Sequence, residues 1–397
     1  MLAASNLAVK CAGLTLAVVA VTTVLAATAQ AGPPHVSDAP GGTDPFGSRC
    51  IDARTTAAKA KCYTKLLLAD IERSHDPAHE VPLIGARARA AGGFIAGACH
   101  SLMHTVGREY ARRHHMTLAT LQKYLPRSND PGCSAGFGHG LIMYLGPQIV
   151  RAGPKGALRT CVRLATRVRQ YTCVHGLGHA YMRVYDQQLR YALPLCRALG
   201  SRQAPDCAQG AFHDYWISLS GSDGTKKRAG VPTSPRTVCG SQIRVFVMPC
   251  WYRTYLERPP KPAVTSAPDI RRLCHGLRDV QRAGCIAAAS LTTARSEPFG
   301  QVRMCARLAG ADTVNCLRAV PVEDVDGWPT LQLQLIRTCG QLHGIARGGC
   351  YRWFGKALAV VTNGAFRARC RSLRTPSGRA ACIAGARSFR GPLVTFA

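Results

Sequence analysis

Apolar positions recur with helical spacing along most of the chain, and short polar stretches interrupt them at regular intervals. From residue 161 onward an apolar run ends near a cysteine that has a leucine three positions later, as in CVRL, CRAL, CHGL, CARL, CGQL and CRSL. A polar or Gly/Pro-containing segment follows, and a second cysteine then opens another apolar run, as in CVHGLGHAYM and CAQGAFHDYW. This unit predicts two antiparallel amphipathic helices joined by a short turn.

The spacing of the cysteines shows that the unit repeats. Pairs separated by 11 or 12 positions are Cys50/Cys62, Cys161/Cys173, Cys196/Cys207, Cys239/Cys250, Cys274/Cys285, Cys305/Cys316, Cys339/Cys350 and Cys370/Cys382. From Cys161 the first members recur after 35, 43, 35, 31, 34 and 31 residues, a period typical of helical repeats. Because one helical hairpin cannot bury its apolar face alone, we expect the hairpins to stack. The predicted fold is all-α: a disulfide-stapled αα-hairpin repeat array, or α-solenoid. Its architecture resembles that of secreted Sel1-like repeat proteins, whose helical hairpins are also bridged; no functional residue is transferred from that resemblance.

Cys99 and Cys133 do not follow this spacing, since they are 34 positions apart and each lacks a first-helix partner. In an exported chain the expected outcome is that they pair with one another. Equivalent helices of neighbouring repeats lie roughly 8–10 Å apart, so the bridge requires a closer local approach. The alternative is two thiols that serve as metal ligands or redox groups.

The N-terminus has the pattern of an export signal. Lys10 precedes an apolar stretch at 12–27, and small residues follow it. We predict a signal peptide at 1–31, cleaved near Ala29 or Ala31, and a secreted or extracytoplasmic protein. Cys11 would leave with the signal, and an even number of cysteines would remain. No later segment reaches the roughly 18 apolar residues that a membrane helix needs, so no transmembrane segment is expected in the mature chain.

Composition shifts predict the remaining boundaries. Residues 32–48 are rich in proline and glycine and predict a flexible lead-in. N-terminal helical repeats are expected at 49–217 and C-terminal repeats at 239–397, with a loop at 218–238 between them.

Histidines occupy a shared register in the first half of the chain. His139, His179 and His213 each lie six positions after a second-helix cysteine, and a glycine lies three positions after the same cysteine. The later repeats carry Leu256, Leu291, Val322, Lys356 and Ser388 at that offset. Because the histidine does not persist, the repeat fold itself does not require it.

Two helices also carry histidine pairs, His100/His104 and His175/His179. Residues four apart share a helix face and can offer two imidazoles to one ion. The predicted metal-binding residues are therefore His100, His104, His139, His175, His179 and His213. Imidazole ligands suit zinc, copper or iron, and the sequence leaves the identity open. Met103, Met143 and Met182 lie near the histidines in the sequence, and their thioether groups slightly favour copper.

Two alternatives to a metal site remain open. The first is a set of partly buried histidines that are hydrogen-bonded to backbone or tyrosine and bind no ion. The second is acid/base catalysis without a metal, with Asp214, Glu109 or Asp186 orienting an imidazole.

The net charge of the chain and the lack of known catalytic motifs limit the functions that the sequence supports. The formal net charge of +30 has two explanations that stay open, Arg at solvated surface positions or affinity for an anionic polymer or an acidic protein surface. The Arg residues are spread along the chain without a compact basic block, which argues against sequence-specific nucleic-acid binding. No HExxH, GxSxG, Walker-type loop or CxxC is present, so no catalytic residue is assigned. The sequence favours an exported binding or scaffold protein with a histidine-rich metal site, and the alternative is an exported metalloenzyme that uses the same six histidines.

Overall fold

The computed structural model describes residues 46, 49–128, 130, 132–220, 231–294, 298–318, 328–361 and 366–388. The predicted signal peptide at 1–31 lies outside the described residues. So does the predicted lead-in at 32–48, apart from Phe46.

The described residues form α-helices and one short 3-10 helix at Arg49–Asp52, and they contain no β-strand. The helices are α1 (Thr56–Ser74), α2 (Pro77–Ala91), α3 (Gly93–Arg113), α4 (Leu121–Tyr124), α5 (Cys133–Tyr144), α6 (Gly146–Val162), α7 (Arg167–Val184), α8 (Leu189–Ala198), α9 (Ala204–Ser220), α10 (Pro235–Gly240), α11 (Arg244–Glu257), α12 (Ala267–Leu273), α13 (Asp279–Ala294), α14 (Pro298–Ala306), α15 (Gly310–Cys316), α16 (Trp328–Gln341), α17 (Gly344–Val361), α18 (Arg367–Arg371) and α19 (Pro376–Ser388). The prediction of an all-α, disulfide-stapled repeat array is confirmed.

Several helices begin where the sequence supplies a hydroxyl cap. The side chains of Thr55, Thr166, Ser234 and Ser266 each accept a hydrogen bond from a backbone N–H in the first turn of the helix that follows. Such a cap satisfies one of the otherwise unpaired donors at a helix start and is worth about 1 kcal/mol. These caps fix where α1, α7, α10 and α12 begin.

The helices form two rows. The odd-numbered helices from α3 to α19 pack on one another in chain order, and we call them the inner row. Each even-numbered helix from α6 to α18 packs on the inner helix that follows it, and we call these the outer row. The largest buried side chains, among them Trp216, Trp251 and Trp353, belong to the inner helices. The hydrophobic core therefore follows the inner row along the array.

Seven disulfides join the outer row to the inner row between α6 and α19, and an eighth joins the 3-10 helix to α1. The bridges are Cys50–Cys62, Cys161–Cys173, Cys196–Cys207, Cys239–Cys250, Cys274–Cys285, Cys305–Cys316, Cys339–Cys350 and Cys370–Cys382. In each of these bridged hairpins the second helix begins several residues before its cysteine. Cys173, for example, lies well inside α7, which begins at Arg167 after its Thr166 cap. The turn that reverses the chain precedes the helix start, so the bridge reaches back to the end of the outer helix.

Cys99 and Cys133 pair with each other, as expected, and join inner helices α3 and α5 with a Cα–Cα distance of 5.1 Å. The alternative of two free thiols is wrong. Two glycines of α5 allow the close approach. A Cβ added at Gly136 would lie 2.2 Å from the His100 carbonyl oxygen, and one at Gly140 would lie 2.4 Å from the His104 carbonyl oxygen. Only a residue without a side chain fits at such a backbone contact.

None of the described helices has the length and apolarity that a membrane span requires. Helix α9 runs to Ser220 and α10 begins at Pro235, so helices occupy the two ends of the predicted loop at 218–238. Residues 221–230 of that loop lie outside the described part of the chain.

Candidate metal centre

Six imidazole rings converge from four successive inner helices. His100 and His104 come from α3, His139 from α5, His175 and His179 from α7, and His213 from α9. Neighbouring rings have centroids 4.7 to 6.1 Å apart. The structure therefore brings together every histidine that the sequence predicted as a ligand, and we call this group the histidine cluster.

The array curves tightly around the cluster. The rings of His100 and His213 have centroids 6.1 Å apart although they belong to the first and the last of the four helices. His104 of α3 and His179 of α7 lie 5.0 Å apart by the same measure, with α5 packed between their helices along the row. Side chains of non-adjacent helices thus meet on the concave side.

The repeated glycine makes this convergence possible. Gly210, three positions after Cys207, packs against the His175 carbonyl oxygen, and a Cβ there would lie 2.0 Å from that oxygen. Gly136 occupies the equivalent position in α5. Because the backbones approach so closely, the imidazoles one turn further along reach the next helix. In α5 and α9 the glycine and the histidine therefore act together, whereas a Cβ at Gly176 of α7 would meet only side chains, the nearest of them Ile142 at 2.8 Å.

His100, His104 and His139 place three ring nitrogens around one point. His104 Nε2 lies 3.1 Å from His100 Nε2 and 3.1 Å from His139 Nδ1. Two nitrogens bound to one tetrahedral zinc ion at about 2.0–2.1 Å lie roughly 3.3–3.4 Å apart, so the observed spacing is close to that of a shared ligand set. The single proton of a neutral His104 can fully satisfy only one of the two facing nitrogens.

Backbone carbonyls set the tautomers of the other two rings in this trio. His100 Nδ1 donates to the Gly132 carbonyl oxygen at 3.1 Å, and His139 Nε2 donates to the Thr172 carbonyl oxygen at 3.1 Å. In a neutral imidazole the remaining nitrogen then carries a lone pair. Both lone pairs point towards His104 Nε2, the arrangement by which protein scaffolds orient metal-ligating histidines.

Carboxylates orient two rings on the other side. His179 Nδ1 donates to Asp214 Oδ1 at 2.8 Å, and both side chains are buried. His213 Nε2 lies 3.4 Å from Glu257 Oε1. The inward nitrogens, Nε2 of His179 and Nδ1 of His213, are buried and have no hydrogen-bond partner among the described residues.

His175 is the cluster histidine with both ring nitrogens buried and unsatisfied among the described residues. The residue is 1% exposed, and neither of its ring nitrogens has a hydrogen-bond partner among the residues that the structure describes. Leaving a buried polar atom unpaired costs about 1–3 kcal/mol. His139, His175 and His179 offer ligand atoms within 4.8 Å of one another, as do His100, His104 and His139. Coordination to an ion would satisfy these atoms.

The electrostatics of the cluster favour neutral imidazoles. Burial lowers the pKa values of His104, His139, His175 and His213 well below the usual 6.5, and the neighbouring histidines lower these pKa values further. Neutral imidazole is the form that binds a metal. At pH 7 these four rings are therefore ready to act as ligands without losing a proton.

The sequence did not single out Arg253, which is 5% exposed and lies close to the cluster. Its positive charge lowers the pKa values of His139, His175 and His213. It stands three positions after Cys250, where α5, α7 and α9 have glycine, and this departure from the repeat was the available signal. Arg253 Nη1 lies 3.9 Å from Glu257 Oε1, so its charge is partly offset.

The other candidates from the sequence lie apart from the cluster. Of the three acidic residues considered as orienting groups, Asp214 alone pairs with a cluster histidine in the described part of the chain. Glu109 forms ion pairs with Arg112 and Arg113, whose hydrogen bonds lower its pKa to about 2, and Asp186 is exposed in a turn. Met103 and Met182 pack in the hydrophobic core. The described histidines outside the cluster are exposed: His75, His79, His114, His115, His275 and His343.

No protein-family model, curated protein or solved structure matches this chain. A functional assignment therefore rests on the histidine cluster and on the chemistry of its donor atoms.

Proposed function

We propose that the protein is an exported, disulfide-stapled helical scaffold that binds transition-metal ions at the histidine cluster. The observation that carries this proposal is the convergence of six imidazoles from four helices, four of them with the outward nitrogen held by a backbone carbonyl or a carboxylate. A packing role alone would not explain buried ring nitrogens without partners among the described residues, as in His175.

The donor set indicates the class of ion. The described cysteines near the cluster are in disulfides, and Asp214 and Glu257 contact the outward nitrogens rather than the centre. Imidazole-only sites suit zinc, copper and iron among the common metals. His100, His104 and His139 would hold one ion, and His175 and His179 with a shared or neighbouring ring would extend the site towards α9.

Location supports the scaffold role. Many disulfides are typical of an oxidising compartment outside the cytoplasm, and the sequence-predicted signal at 1–31 fits export. The net charge of +30 supports retention on an anionic polymer or an acidic protein surface. Attraction of that kind would weaken steeply with added salt.

An exported metalloenzyme is the second candidate. His100 and His104 are only partly buried, so the cluster has one edge near the surface through which a small substrate could enter. The remaining four rings are between 0% and 6% exposed, and this burial favours binding over catalysis on a large substrate.

Metal analysis of untagged protein, purified from its natural exported state, tests the proposal. The matched variant replaces His139, His179 and His213 with Leu, the residue that two later repeats carry at this offset, and the control replaces exposed His275 and His343 with Ala. We expect stoichiometric zinc, copper or iron in the wild type and the control, and its loss in the Leu variant. Equal, negligible metal in all three proteins would sink the proposal.

A further inference from the structure

The inner helices of the C-terminal repeats carry basic side chains in the register that histidines occupy in α7. Arg352 lies two positions after the cysteine of α17, as His175 does after the cysteine of α7. Lys356 lies six positions after that cysteine, as His179 does. Arg318 also lies two positions after its own inner cysteine, Cys316. The concave positions that hold imidazoles at one end of the array thus hold cations at the other.

The backbone geometry of the two places is also equivalent. A Cβ at Gly385 of α19 would lie 2.0 Å from the Arg352 carbonyl oxygen, as one at Gly210 of α9 would lie 2.0 Å from the His175 carbonyl oxygen. Helices α17 and α19 therefore approach as closely as α7 and α9. The side chains that project from this contact differ, but the scaffold beneath them is the same.

Where the imidazole rings fill the space in the first half, the later repeats leave a cavity of about 270 Å³. Arg318, Arg352 and Lys356 line it together with the apolar side chains of Leu317 and Trp353 and the hydroxyl-bearing Ser388. Lys356 is buried, Arg318 is partly buried and Arg352 is exposed, so the cations run from the floor of the cavity to its rim. A volume near the lower end of the range for small-molecule sites suits a compact ligand.

The described walls of this cavity carry positive charge. No carboxylate is among the described residues that line it. Lys356 Nζ donates to the Arg318 carbonyl oxygen at 3.1 Å, which uses one of its three N–H groups. Burial, followed by the charge of Arg318, lowers the pKa of Lys356 to about 8, so the ammonium remains protonated at neutral pH.

Among the described residues, one carboxyl group acts on Lys356 and could offset at most one of the three lining cations. Asp206 is the carboxyl group whose charge reaches Lys356, but burial raises the pKa of Asp206 well above its usual value. Arg244 adds a further positive charge near Arg318 and, after burial, helps to lower the pKa of Arg318. The cavity is therefore a cationic, partly apolar recess that a dianion would complement.

We propose that this cavity binds a small phosphate monoester, with the phosphate between Arg318, Arg352 and Lys356 and the apolar group against Trp353. Guanidinium groups match phosphate oxygens in bidentate geometry, and a buried ammonium contributes a point charge. A dianionic head fits three cations better than a singly charged carboxylate does. This site is separate from the histidine cluster and does not depend on metal binding there.

Calorimetric titration of the full-length, oxidised protein with phenyl phosphate tests the proposal. We expect measurable binding by the wild type, affinity at least tenfold lower for Lys356→Met and Arg352→Gln, and retained binding for Lys356→Arg. The control, Arg151→Gln, removes an exposed arginine of α6 and should change the affinity less than twofold. Inorganic phosphate, which lacks the apolar group, should bind more weakly than phenyl phosphate.

Several results would overturn the proposed phosphate site. No heat of binding at millimolar phenyl phosphate, or equal affinity of wild type and Lys356→Met, would refute the site. Tighter binding of benzoate than of phenyl phosphate would refute the dianion. A thermal melt of each variant confirms that it is folded, and the metal content of Lys356→Met should equal that of the wild type.

Discussion

His179 Nδ1 lies 2.8 Å from Asp214 Oδ1, and both side chains are buried between α7 and α9. This contact holds the proton on Nδ1 and leaves Nε2 directed into the histidine cluster. A carboxylate in this position raises the basicity of a metal-ligating imidazole and fixes its orientation.

Replacing Asp214 with Asn should weaken metal binding while it preserves the fold. Asparagine keeps the shape of the side chain but removes the negative charge, and loss of such a partner typically costs 10–100-fold in metal affinity. Competition with a chromophoric chelator measures that affinity. Glu109→Gln is the control, because Glu109 pairs with Arg112 and Arg113 away from the cluster. If Asp214→Asn binds metal like the wild type, the carboxylate does not support a ligand.

Acid should destabilise the metal-free protein. The folded-state pKa values of His104, His139, His175 and His213 lie well below 6.5, whereas unfolded histidines titrate near that value. Below about pH 6.5 the unfolded chain therefore binds more protons. The free energy of unfolding should fall with decreasing pH, by up to about 1.4 kcal/mol per pH unit for each such histidine.

Denaturant unfolding between pH 7.5 and pH 5, with a chelator present, measures this slope. The variant with Leu at positions 139, 179 and 213 lacks two of the four shifted histidines and should have a shallower slope. A slope that is the same in both proteins would show that the cluster does not stay neutral when folded.

Gly136→Ala should separate α3 from α5 and disrupt the site. The added Cβ would lie 2.2 Å from the His100 carbonyl oxygen, and overpacking of this kind costs about 1–3 kcal/mol or more. We expect a lower melting temperature and loss of bound metal. Gly348→Ala in α17 is the matched control, since a Cβ there meets nothing within 4 Å. Alanine in a helix is favoured over glycine by up to about 1 kcal/mol, so the control should be neutral or stabilising.

Removing the Cys99–Cys133 bridge by double substitution to Ala should cost more than removing Cys305–Cys316. The first bridge closes a loop of 34 residues and the second a loop of 11. In the chain-entropy picture these bridges stabilise by about 4 and about 3 kcal/mol. The first variant should also lose metal, because its bridge holds the helices of His100 and His139 together. Equal metal content in the two variants would contradict this role.

The fold could be predicted from the sequence because the cysteine pairs that bridge its helices recur along the chain. Pairs such as Cys161 and Cys173 recur with a gap of 11 or 12 residues, and each pair joins one outer and one inner helix. The shared offset of His139, His179 and His213 likewise placed them on equivalent helix faces. Both features are local, and a period in the chain is enough to reveal them.

The remaining features depend on how small rotations accumulate along the array. No local pattern indicates that His100 of α3 meets His213 of α9, because that contact requires the curvature of three successive helix steps. The sequence also does not indicate the carbonyl partners Gly132 and Thr172, because every residue type supplies a backbone carbonyl. Arg253 is visible only as an exception to a glycine position, and its proximity to the imidazoles needs the structure.

The 6.1 Å between the rings of His100 and His213 constrains how this chain can change its length. In a gently curved array, three helix steps of 8–10 Å would separate such side chains by roughly 24–30 Å. Duplication or deletion of one hairpin between α3 and α9 would move the two ends of the cluster apart rather than lengthen or shorten a uniform surface. The hairpins that carry the first four inner helices should therefore be kept together during evolution, without gain or loss of a single repeat among them. Insertions and deletions of whole repeats should be confined to the hairpins beyond α9.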